Sequence, residues 1–81
     1  MTNDNELLYK TSDLCLITTL SLYSSIESID KNDPNRFVFI FQRTKEFENL
    51  LSSYWHGELR IEPKHFFNQL KTIKSRIYAN D

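Results

Sequence analysis

The sequence predicts a small α+β domain in which one β-hairpin packs with three helices, in the order α-β-β-α-α. Three observations lead there. Phe37, Phe39 and Phe41 alternate with Val38 and Ile40, as residues on the two faces of a strand do. Phe47, Leu50, Leu51, Tyr54 and Trp55 recur at the spacing of one helical face. Glu62-Pro63 then opens a run in which Phe66, Leu70, Ile73 and Ile77 share a face, with Phe67 and Tyr78 beside it.

Taken in order, residues 1–10 (MTNDNELLYK) are polar and aperiodic and read as a flexible arm before a compact domain at 11–81. Thr11 or Ser12 is placed to cap a first helix, with Asp13 in its first turn, where the helix dipole favours a negative charge. Leu14, Ile17 and Leu20 fit a helix, while Leu14, Leu16, Leu20 and Leu22 also alternate; the start signal decides for a helix over Leu14–Tyr23. Next, Lys31-Asn32-Asp33-Pro34-Asn35 separates two β-prone runs. Asp33 can bond its local backbone and Pro34 presets φ, so the pair of runs forms a hairpin. Both faces of the second strand are apolar, and helices or a second chain must cover them. Thr44 caps the following helix and Gly57 supplies its left-handed end. The last helix runs from about Pro63 to Tyr78.

Eighty-one residues make one domain with a thin core, since a chain this size buries only roughly 60–65% of its unfolded surface. Six Phe, four Tyr and one Trp compensate, because rings bury much area per residue. The single cysteine, Cys15, excludes an internal disulfide and fits a reducing compartment. No basic start leads into an apolar run, and no segment approaches the roughly 20 apolar residues of a membrane span. A cytoplasmic protein with no membrane partner is expected. The net charge of −1 is divided: residues 1–35 hold two lysines against six acids, residues 36–81 eight Lys or Arg against five.

Several of these residues carry a resemblance. Phe39-Ile40-Phe41, a Thr-capped helix ending Tyr54-Trp55-x-Gly57-Glu58-Leu59, then Pro63-x-x-Phe66-Phe67 and Leu70-x-x-x-Lys74-x-x-Ile77-Tyr78 are similar to a domain-of-unknown-function family of bacteria, archaea and their viruses. Ser12-Asp13-Leu14 joins the similarity, which covers roughly residues 11–78. A glycine is expected between the first helix and strand, where this chain has Tyr23-Ser24-Ser25. The resemblance implies one compact α+β domain in a cytoplasm, with a mobile element or virus as a source. It transfers no catalytic residue.

The stretch Ser52–Phe67 crowds together the only Trp, the only Gly and both His. Its structural reading is complete: Tyr54 and Trp55 pack in the core, Gly57 caps, Pro63 starts a helix, and Phe66 and Phe67 pack. A metal site from His56, Glu58, Glu62 and His65 would lack any familiar ligand spacing, so no metal is expected. Cys15 between leucines reads as a buried, inert thiol. One glycine is too few for a phosphate-cradling loop, and a pocket is hard to house in so short a chain. No enzyme activity, catalytic residue, cofactor or small-molecule substrate is therefore expected.

Surface remains. Lys64, Lys71, Lys74 and Arg76 lie on a last helix that has no acid after Glu62, a face suited to phosphates or an acidic partner. The Phe37/Phe39/Phe41 row resembles a base-stacking strand, but three exposed Phe would be a sticky patch, so burial is expected. A hairpin apolar on both faces can complete its core against a second copy, and twofold dimers are the commonest oligomers. The expected function is that of a small non-enzymatic interaction protein, an adaptor or inhibitor acting by protein-protein contact as a homodimer. The alternative is a nucleic-acid-binding accessory protein using the basic C-terminal helix.

Overall fold

The computed structural model describes residues 7–79 as β1 (Leu8–Thr11), α1 (Leu14–Ser21), β2 (Ile26–Asp33), β3 (Arg36–Gln42), α2 (Lys45–Trp55) and α3 (Pro63–Tyr78). The α+β class and the hairpin are as expected. The order is β-α-β-β-α-α, because a strand precedes the first helix. Leu8–Lys10, assigned to the arm, belong to that strand; residues 1–6 lie outside the described residues.

The sheet order is β1-β3-β2, with β3 antiparallel to both neighbours. β1 and β2 therefore run parallel on either side of β3, and α1 connects them across it. This explains the core. Phe39 and Phe41 point up from β3 with no exposed surface and meet Leu16, Ile17 and Leu20 of α1, Phe47 and Leu51 of α2, and Ile73 of α3. Phe47 is tilted against both Phe41 and Tyr9, each 5.6 Å between ring centroids, which ties β1 to α2.

Local signals set the ends of the helices. Asp13, not Thr11 or Ser12, caps α1: its carboxylate accepts from Leu16 N. Thr11 is committed to β1, and its hydroxyl accepts from Asp13 N. Thr18 and Thr19 are buried on α1, yet each hydroxyl donates back one turn, to Leu14 O and Cys15 O, so neither lacks a partner. α1 ends at Ser21, and Tyr23-Ser24-Ser25 turns the chain into β2 with no positive φ, so the joint needs no glycine. In the hairpin, Asp33 accepts from Asn35 N at 2.9 Å, the local bond that closes the turn.

Thr44 caps α2 by accepting from Phe47 N, as expected. Gly57, at φ 68°, ends it: Gly57 N donates to Tyr54 O and Glu58 N to Ser53 O, both at 3.0 Å. That pair of bonds is the Schellman arrangement. Glu62 then caps α3 through His65 N, and Pro63 occupies the first helical position.

The helices cover the Phe39/Phe41 side of the sheet only. Val38 and Ile40 lie on the other side, half-buried by their strand neighbours and outside the core. The described chain is thus a plate of about 39 × 33 × 17 Å.

Phe39→Ala should cost about 3–5 kcal/mol, most of the stability of so small a domain. Trp55→Ala, at a side chain 63% exposed, should stay within about 0.5 kcal/mol. Urea unfolding of the two variants beside the wild type checks the contrast.

Candidate functional site

The outer flank of α3 carries an ordered stripe. Lys64, Phe67, Lys71, Lys74 and Tyr78 follow one another by alternating steps of three and four residues, which at about 3.6 residues per turn keeps them on one line. All five are exposed, Phe67 by 55% and Tyr78 by 74%. The Lys71 ammonium lies 4.9 Å from the centre of the Phe67 ring, a cation–π contact. Phe67 was expected to pack inside. The inward face is already filled by Phe66, Gln69, Leu70, Ile73 and Ile77, so Phe67 has no room there.

Arg76 stands apart from the three lysines. It lies on the opposite flank of α3, where it lines a hollow of about 500 Å³ with Ser21, Ser24, Ser25 and Gln69. Gln69 donates to Ser21 Oγ at 2.9 Å there, joining α3 to the end of α1. Beyond it, the Lys31 ammonium donates to Arg76 O (2.7 Å) and Ala79 O (3.2 Å), placing a cation on the free carbonyls at the end of α3. The four basic residues singled out in the sequence thus divide into a stripe of three and a separate Arg76.

Other arginines do not extend the stripe. Arg43 Nε donates to Glu48 Oε1 at 2.6 Å, the only ion pair among the described residues, and its guanidinium lies 5.5 Å from the Tyr9 ring centre. Arg36 reaches Ser12 Oγ from the sheet, and Arg60 holds Gly57 O and Leu59 O in the loop before α3.

The crowded stretch proves to be a helix end, a cap and a helix start, with one correction. Tyr54 is half-buried and meets Trp55 edge-on at 5.1 Å, but Trp55 is exposed. α2 ends at Trp55, which lies outside the core cluster. His56 Nδ1 lies 2.7 Å from Ser52 O; a carbonyl only accepts, so that nitrogen carries the proton. Glu62 is spent on its cap. Among the described residues no three His, Cys, Asp or Glu side chains gather as metal ligands would. Open hollows do exist, one of about 560 Å³ between Tyr23–Ser25, α2 and Leu59.

Cys15 is exposed, not buried as its leucine neighbours implied. On α1 it points away from Leu16, Ile17 and Leu20, which face the sheet. It sits by Tyr54, whose phenol is pushed up to about 12, first by its hydrogen bond with Cys15 and then by burial.

The fold and its surfaces define a two-layer α+β domain with a basic, aromatic helix flank. A family model matches residues 6–79, nearly the whole chain, and the protein belongs to that family, a domain of unknown function (DUF5659). Neither the curated proteins nor the solved structures yielded a match. No described helix is long and apolar enough to cross a membrane.

The stripe was readable in the sequence, because positions 66, 70, 73 and 77 complete the inward face without Phe67 and Tyr78. Lys31 gave no signal; its partners are 45 and 48 residues away.

A tyrosine whose folded pKa lies above its unfolded value contributes stability below the unfolded value. That contribution disappears as pH rises through the folded one. Tyr54 should therefore destabilise the fold from about pH 10 to about 12. Denaturation at stepped alkaline pH should show this decline in the wild type and a shallower one in Tyr54→Phe.

Proposed function

We propose that the protein is a non-enzymatic binding module that recognises an acidic protein surface through the outer flank of α3. The observation that supports this reading is the stripe Lys64–Phe67–Lys71–Lys74–Tyr78. A helix presenting anchors at such steps fits a groove on a partner, with rings filling pockets and ammonium groups meeting carboxylates around them. About 21 Å of helix lies between Lys64 and Tyr78 at about 1.5 Å per residue, a span suited to one groove. The arginines nearest in sequence do not extend this stripe, because Arg60 is bonded to Gly57 O and Leu59 O and Arg76 lies on the opposite flank, which supports a compact protein partner over a long polyanion. Arg43, which would widen the patch, is paired with Glu48.

One observation favours a second reading. α3 has no acid after its cap, and rings alternating with lysines are what single-stranded nucleic acid meets when bases stack and phosphates pair.

Both readings are decided with Phe67→Ala/Tyr78→Ala and Lys71→Glu/Lys74→Glu. The altered side chains are exposed, so folding should change little. Under the protein reading, a partner recovered by the wild type and then purified should bind it directly. Each double variant should weaken that binding at least tenfold, as loss of interface anchors does. Oligonucleotides should show no binding at low salt. Oligonucleotide binding that falls steeply with salt and fails in the lysine variant would replace it with the nucleic-acid reading.

A further inference from the structure

The sheet face opposite the helices has a composition and a charge layout of its own. Register places Leu8, Lys10, Val38, Ile40, Gln42, Ser28 and Asp30 on it, because Leu8 pairs with Gln42, Lys10 and Ser28 with Ile40, and Asp30 with Val38. Val38 and Ile40 form its centre on the middle strand. Glu27, at the bulge in β2, reaches the same side, where its carboxylate accepts from Gln42 Nε2 at 3.2 Å. Arg36, two residues before Val38, leans toward the β1 edge and donates to Ser12 Oγ at 3.2 Å. The face is therefore apolar along β3, positive along its β1 side (Lys10, Arg36) and negative along its β2 side (Glu27, Asp30).

Among the described residues none of these four charged groups is in an ion pair, and the only pair is Arg43–Glu48. Lys10 is separated from Glu27 and Asp30 by the width of the sheet, and Arg36, which starts on β3 opposite Asp33, is turned away from β2 toward Ser12. A twofold axis parallel to β3 changes that. It lays the β1 side of one copy over the β2 side of the other at the same height along the strands. Lys10 then faces Glu27, Arg36 faces Asp30, and Val38 and Ile40 meet their own counterparts near the axis. A twofold across the strands instead stacks Lys10 on Lys10 and is repulsive.

We infer that this face is a self-complementary interface through which two copies of the chain associate, sheet on sheet, about an axis parallel to β3. Three short strands offer a face of only about 14 × 17 Å, from strand spacing and rise. The two faces together bury roughly 500 Å², less than stable specific interfaces do, so association is weak, reversible and populated only at high concentration. Its charged rim makes it weaker in high salt. This interface is independent of the α3 stripe, which lies on the helical side of the plate.

Sedimentation equilibrium of the full chain, from about 1 µM to 1 mM, tests it with three variants whose folding is first checked by thermal unfolding. Lys10→Glu and Glu27→Lys should each dimerise about tenfold more weakly than the wild type, since each reversal acts twice in a twofold dimer. Mixed together, they should form a heterodimer at least as tight as the wild-type dimer, because every facing pair is then of opposite sign. Ile40→Thr, which keeps a β-branched residue in the strand, should also weaken the dimer. A wild type that stays monomeric up to 1 mM overturns the proposal and leaves the face to residues 1–6 or to a different protein. Equal association by Lys10→Glu, or a mixture that associates no better than its components, overturns it as well.

Discussion

Burial of Phe39 and Phe41 beneath α1 is the contact on which the rest of the structure depends. β3 is bonded to both other strands, and its two rings have no exposed surface. Each ring contributes about 1.5–3 kcal/mol by leaving water, a large share of the margin available to so short a chain. β1 is only four residues long and holds its place because β3 offers it an edge and Phe47 offers Tyr9 a ring. α1 holds its place because β1 and β2 anchor it at both ends across those same two phenylalanines.

One layer of helices on one face of a sheet is as much core as this chain builds. The consequence is a plate with two unlike sides. On the helical side, side chains that the core cannot accommodate line up on the flank of α3. On the bare side, a middle strand of Val38 and Ile40 is bordered by charges of opposite sign. Even the polar groups trapped inside are handled locally: Thr18 and Thr19 bond their own helix, and no buried side-chain polar atom among the described residues lacks a partner. Among the described residues, side-chain bonding capacity left unspent therefore lies at the surface.

How much of this was visible in the sequence depended on how local the cause was. Thr44, Gly57, Glu62 and Pro63 act within four residues of themselves, and α2 and α3 lay where those residues put them. β1 was missed because Leu8-Tyr9-Lys10-Thr11 has too few residues for a period; its strand character comes from β3, some thirty positions away. Trp55 was misplaced because periodicity gives a direction on a helix but not whether anything lies in that direction. Cys15 was misplaced for a related reason: its leucine neighbours in sequence occupy a different side of α1. Within the α3 stripe, the lysines were visible as charges. Phe67 and Tyr78 were visible only once the inward face was counted as full.

The Lys31 bonds to Arg76 O and Ala79 O, with Gln69 to Ser21, have a consequence for how the chain assembles. Three of these polar links span 45 or 48 residues, and each joins α3 to an element made well before it. The hairpin and α1 present a bare flank until α3 has been synthesised in full, and the last turn of α3 has unanswered carbonyls until Lys31 is beside it. These links therefore form only when α3 docks, and they fasten the last helix at both of its sides to elements from the first half of the chain.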